Sequence, residues 1–258
     1  MDRSSKLVPM QQRLNRPHLL LVPALIFMVV LLSPDRSLAQ MFSVDGGAER
    51  LGHSFNYSSL SVGWETGEFT FQGDPAAAGS DRFDFQEGMF RILFENPGID
   101  MYFGLASGLT GADSNNILSL GARIYNNFFL TGNERIRLML PLQLQTDLLR
   151  VQAEGANNQF QQTAFQLGTG LGVHASLGGP VHFTAQMTPN YGFSNSQGAF
   201  IGGTLFSWQG KARLHFDRLL GRSGIVLGYD FQDRSYNIDT DLFDYDYQSH
   251  RVTLGFTF

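Results

Sequence analysis

From Ser54 onward, apolar and polar residues alternate with a period of two, and the alternation persists through successive segments of about ten residues. The clearest stretch is Arg135 to Leu148. There Ile136, Leu138, Leu140, Leu142 and Leu144 share one phase, with Arg137, Met139, Pro141, Gln143 and Gln145 in the other. Successive side chains on a strand point to opposite faces, so this period predicts strands with one apolar face and excludes amphipathic helices. Phe165, Leu167, Leu171 and Val173 alternate in the same way with Gln166, His174 and Ser176, as do Val181, Phe183, Ala185 and Met187 with His182, Thr184 and Gln186. Ten such segments are predicted: 54–71, 83–95, 99–109, 117–130, 135–149, 163–177, 181–194, 201–216, 225–236 and 248–258.

The connections differ systematically. Asn96-Pro97-Gly98, residues 131–134 and Gly178-Gly179-Pro180 read as tight turns, with 217–224 somewhat longer. Looser polar loops fall at 72–82, 110–116, 150–162, 195–200 and 237–247. One end of the predicted sheet therefore carries turns and the other carries loops, the asymmetry of an up-and-down barrel in an outer membrane.

Alternation alone does not say which face is inside. A soluble barrel turns its apolar face inward, whereas a membrane barrel turns it outward. Three features favour the membrane: the apolar face runs through nearly every segment, the opposite face is charged and rich in glycine, and aromatics gather toward segment ends. Those aromatics are Phe94, Phe128, Phe183, Trp208, Phe216, Tyr229, Phe231 and Phe256. The rival soluble reading is an exported barrel enclosing a hydrophobic ligand.

Composition narrows the class further. Charged residues are only 16% of the 258, below the roughly 25% of soluble domains. There is no cysteine, which excludes disulfides, thiolate metal sites and a cysteine nucleophile. Arg3, Lys6, Arg13, Arg16 and His18 precede the apolar run Leu19–Leu32, and Ser37-Leu38-Ala39 follows as a small-x-small site. This is the pattern of a secretory signal peptide over 1–39, cleaved before Gln40. The run is too short to span a bilayer and is interrupted by Pro23. Losing the five basic and two acidic residues of 1–39 moves the formal charge from −5 to −8, so nucleic acid is not an expected partner. Residues 40–53 are weakly patterned and are expected in the periplasm or as a plug in the mouth.

The last segment carries the most specific motif. Val252, Leu254, Phe256 and Phe258 hold one phase, with Arg251, Thr253, Gly255 and Thr257 in the other. It resembles the terminal strand of Gram-negative outer-membrane β-barrel proteins. The resemblance implies an all-β fold, a single antiparallel up-and-down transmembrane barrel of about ten strands over 54–258. It also implies that the last four apolar residues are an assembly signal read by barrel-assembly machinery, with outer-membrane lipid as the surroundings.

Counting phases gives an inward charged set of Glu65, Arg91, Glu95, Asp100, Arg123, Arg135, Arg137, Asp147, Lys211, Arg213, Asp217, Asp230 and Arg251. Its near balance points to ion-paired filling, because an unpaired buried charge is costly. By height, Arg91, Arg123, Lys211, Arg213 and Arg251 fall near the middle, while Glu95, Asp100 and Asp217 fall near the turns. Any open path is then expected to be cationic there and to favour small anionic solutes.

Other candidates are weaker. Four carboxylates in the 237–247 loop, Asp239, Asp241, Asp244 and Asp246, could offer oxygens to Ca²⁺, but the loop lacks an EF-hand's glycine and terminal glutamate. His250 lies in the outward phase, within reach of Asp233 and Ser235, but Ser249 beside it faces the other way. His53, His174, His182 and His215 show no metal-ligand pairing on a common face, and no cofactor motif is present. The expected function is a narrow porin-like channel or a structural or surface protein, not an enzyme. A lipid hydrolase embedded in the outer membrane is the alternative.

Overall fold

The computed structural model describes residues 57–73, 85–107, 115–133, 135–153, 159–196, 202–238 and 244–258. The expected signal peptide over 1–39 and the 40–53 segment lie outside these. Eleven strands follow one another: β1 (Ser59–Phe71), β2 (Phe85–Asn96), β3 (Ile99–Ala106), β4 (Asn115–Gly132), β5 (Ile136–Ala153), β6 (Gln159–Thr169), β7 (Leu171–Gly178), β8 (Val181–Ser196), β9 (Gly203–Leu220), β10 (Ser223–Ile238) and β11 (Tyr245–Thr257).

Each strand pairs antiparallel with its neighbours, and β1 pairs with β11 along its whole length, from Ser59 opposite Thr257 to Phe71 opposite Tyr245. The sheet therefore closes. It has ten staves, because β6 and β7 are two halves of one. Both pair with β5 and β8, and the register carries through unchanged from Leu142–Thr169 to Met139–Gly172. That register sets Gly170 opposite Pro141, and Gly170 N–H donates to the Pro141 carbonyl at 3.3 Å. Proline has no N–H to return, so the ladder is interrupted at that point. The single segment expected over 163–177 is thus one stave with a local break.

The connections at one end are short: two residues between β2 and β3, β7 and β8, and β9 and β10, and three between β4 and β5. Gly98 (φ 91°) and Gly179 (φ 56°) supply left-handed backbone in two of these turns. The turn expected over 217–224 is shorter than read, since β9 continues to Leu220 through a bulge against β10. At the other end, β5 and β6 reach into the expected 150–162 loop and leave only 154–158 between them.

Orientation is settled by exposure. Leu167 and Val252 are 59% and 63% exposed on the outer surface, whereas Arg91 and Arg213 are 3% exposed within. Leu60, Val62, Trp64, Leu138, Leu144, Trp208, Leu227 and Leu254 join the outer belt. Glu65, Gln143, Gln145, Asp147, Gln166, Asn190 and Asp230 are buried inside. Apolar outside and polar inside is the arrangement of a barrel that crosses a bilayer, where closure removes the free edges that hydrocarbon could not solvate. Among the described residues no helix is long and apolar enough to cross a membrane.

The polar-inside rule does not hold to the loop end. There the inward phase becomes apolar: Phe69, Phe71, Met89, Leu149, Val151, Tyr236, Ile238, Tyr245 and Tyr247 form a buried core inside the barrel. Phe69 stacks on Tyr245 with centroids 4.6 Å apart, and Phe71 meets the same ring edge-on at 5.1 Å. The outward phase becomes polar at the same level, with Gln86, Glu68, Gln248 and Asp233 in one register row across β2, β1, β11 and β10. Polar-out and apolar-in is the order of a protein in water. These strand ends therefore project beyond the bilayer and carry a small core of their own.

Candidate functional site

Below that core, the lumen is filled by one connected ionic network. Arg91 donates from Nη2 to Glu65 Oε1 at 2.9 Å, and Arg251 Nη1 approaches Glu65 Oε2 at 3.7 Å. Arg251 Nε then donates to Asp230 at 3.1 Å. Arg213 holds Asp230 through Nη2 at 2.9 Å and Glu95 through Nε at 2.9 Å. Lys211 Nζ contacts Glu95 at 2.5 Å and Asp100 at 2.9 Å, and Arg123 Nε donates to Asp100 at 3.0 Å. Five cations alternate with four carboxylates, beginning and ending on arginine.

The network continues through amides. Arg123 donates to Gln209 at 3.3 Å, Gln209 to Gln145 at 2.7 Å, and Gln145 to Asp147 at 2.8 Å. Asp147 also accepts from the Tyr102 hydroxyl and pairs with Arg234 at 2.9 Å. Tyr102 lies beneath two guanidiniums, Arg91 at 4.8 Å and Arg251 at 5.6 Å. Arg91 fits because its register partner is Gly104: a Cβ there would stand 2.4 Å from Nη1.

Lumen-facing Arg91, Arg123, Lys211, Arg213, Asp230 and Arg251 are therefore drawn into one cluster. The expected height difference does not keep Glu95 and Asp100 apart from the cations, whereas Asp217 stays at the turn end. Glu95 and Asp100 sit by the β2–β3 turn in sequence, yet both reach Lys211. Staves of a closed barrel are tilted and staggered, so position along one strand does not give height against another. Every cation of the cluster has a carboxylate partner, and the expected cationic middle is not present as an unpaired set. Arg234 was missed, although it shares the even phase of Asp230. Arg137 faces inward at the turn end, 5.9 Å above the Phe129 ring, while Arg135 is exposed in the turn.

A cavity of about 40 Å³, lined by Glu65, Arg91, Asp100, Tyr102, Arg123 and Arg251 among others, has space for a few waters.

Three histidines judged separate on the sequence come together at the turn end of the lumen. His174 on β7 and His182 on β8 stack with centroids 5.8 Å apart, and His182 lies in register opposite His215 on β9. They stand on three strands, so only the register reveals their proximity. His182 Nε2 is 3.2 Å from Asp217 Oδ2. Tyr57, just ahead of β1, stands beside Asp217; burial, with that carboxylate adding, pushes its phenol up to about 12. His53 lies outside the described residues.

The outer face carries the remaining candidates. His250 shares a 2.8 Å hydrogen bond between Nδ1 and the Tyr229 hydroxyl, and its ring lies 5.2 Å from that of Phe231. Ser249 is buried on the opposite face. Asp233 is in register with Gln248 rather than with His250. Val252, Leu254, Phe256 and Phe258 are exposed on the outer surface. In the acidic loop, Asp239 and Asp241 lie outside the described residues. Asp244 accepts from the Ile238 N–H at 2.8 Å, and Asp246 takes the outward phase opposite Thr70 and Ser235.

No family model and no curated protein matches the chain. Solved structures similar to it include the outer-membrane protease OmpT of Escherichia coli, at 8% identity and a TM-score of 0.41, covering 80% of this chain and 97% of that one. The translocator domain of the autotransporter NalP of Neisseria meningitidis has 11% identity and a TM-score of 0.33, covering 91% and 96%. The outer-membrane protein OprG of Pseudomonas aeruginosa has 8% identity and a TM-score of 0.32, covering 78% and 94%. At such values the activities of those proteins stay with those proteins.

Proposed function

We propose that this chain is an integral protein of a bacterial outer membrane whose lumen is sealed, and that it serves as a structural or surface barrel rather than as an open diffusion pore. The observation that carries this is the contact of Lys211 on β9 with Asp100 on β3 at 2.9 Å. Those staves are five apart in either direction around the ten, so the pair crosses the full bore. Interiors of about eight strands are filled by side chains, and water-filled channels belong to about sixteen. The loop-end core adds a second seal above the first.

Delivery fits this reading. A signal peptide over 1–39 sends the chain to the periplasm, and Val252, Leu254, Phe256 and Phe258 present the signal for barrel-assembly machinery. Outer-membrane lipid then surrounds the apolar belt.

Planar-bilayer recording tests the seal. Wild-type protein is expected to give no steady single-channel conductance in KCl, and a double Lys211→Ala, Asp100→Ala variant to give more frequent openings. Steady conductance from the wild type would overturn the sealed reading. Anion preference under a KCl gradient would then support the narrow channel, and cation preference would exclude it.

A further inference from the structure

We propose that the turn end of the lumen holds a binding site for one divalent transition-metal ion of the zinc class, built from His182, His215 and Asp217. His215 and Asp217 are two residues apart on β9 and so share the lumen face. His182 on β8 is the direct register partner of His215, and opposed residues on neighbouring strands hold their Cβ atoms about 4.5–5.5 Å apart. Two imidazoles and a carboxylate on such a corner are a ligand set for zinc and its neighbours.

The side chains are part-way to that arrangement. His182 Nε2 and Asp217 Oδ2 are 3.2 Å apart, inside the roughly 3.0–3.4 Å that separates two ligands each about 2.1 Å from one ion. Nδ1 of His182, Nδ1 of His215 and Oδ1 of Asp217 are buried and have no protein hydrogen-bond partner. Buried polar atoms without partners are costly; a shared ion would give one to His215 and Asp217, while His182 would ligate through Nε2, the nitrogen that already faces Asp217. His174, stacked on His182 at 5.8 Å, walls the site from β7. Among the described residues no three groups converge on one point as they stand, so binding has to reorient side chains of this set. The His182 and Asp217 side chains are 13% and 7% exposed, so neither is wholly closed off from solvent.

The test is calorimetric titration of ZnCl₂ into the full chain, folded in detergent and freed of metal with a chelator. One equivalent is expected to bind, with affinity at least about tenfold weaker in His215→Ala and in Asp217→Asn and unchanged in the outer-surface variant His250→Ala. Absence of binding by the wild type overturns the site, as does binding by His215→Ala and Asp217→Asn at wild-type affinity. Should those variants fail to fold, X-ray absorption of the zinc-loaded wild type decides: two or more imidazoles on the ion support the site, and one or none rejects it.

Discussion

Phe69 stacks on Tyr245 inside the barrel, while their neighbours Thr70 and Asp246 face out in register with each other. Eight residues toward the turn end, on the same two strands, the order is reversed: Val62 and Leu254 face lipid, while Ser61 and Thr253 are buried within. The switch marks where the strands leave the bilayer. Phe69→Ala is expected to open a cavity in the loop-end core and cost about 3–5 kcal/mol in urea unfolding. Thr70→Ala should stay within about 0.5 kcal/mol of wild type. Equal effects for the two would place the boundary elsewhere.

Asp147 and Arg234 form the simplest ion pair in the lumen, 2.9 Å apart and both buried. Arg234→Met leaves the carboxylate without its cation and is expected to destabilise the barrel by about 3–5 kcal/mol. The double variant Arg234→Met, Asp147→Asn should recover much of that loss, because the isolated buried charge is gone. Unfolding followed by tryptophan fluorescence reads both, and a double variant worse than the single would show that the pair does not act through charge.

Pro141 and Gly170 interrupt the ladder between β5 and the divided stave. Pro141→Ala restores a donor N–H opposite the Gly170 carbonyl. Hydrogen exchange at residues 139–142 and 168–172 is expected to slow, with a stability gain of about 0.5–1.5 kcal/mol. Unchanged exchange would mean that the break has a cause other than the missing donor.

Phe258 is 65% exposed, so its ring contributes little packing within the barrel. Phe258→Ala should refold in detergent as the wild type does, yet accumulate less folded barrel in cell membranes. Heat-dependent gel mobility measures both. Equal accumulation in cells would remove this residue from the assembly signal.

His250 is held by Tyr229 on the outer face, with Ser249 turned inward. Lipid profiles of cells carrying wild type and His250→Ala are expected to match those of cells lacking the protein. A change in lipid A acylation with the wild type that His250→Ala abolishes would establish the hydrolase instead.

The alternation from Ser54 to Phe258 was by itself enough for the strands, for their count as staves and for a turn end and a loop end, because side-chain direction along a strand follows from period two alone. Phase likewise turned Arg91, Arg213 and Asp230 inward, and Val252, Leu254, Phe256 and Phe258 outward. Contacts between strands were beyond it. That Lys211 meets Asp100, that Arg213 bridges Glu95 and Asp230, and that His182 stands against His215 depend on register and on the stagger of tilted staves, which no single segment encodes. The inversion at Phe69 and Tyr245 was written in the residues as a swap of apolar phase. It took the closed barrel to show that the swapped phases meet as one core, since only closure brings the ends of separate strands around a common interior.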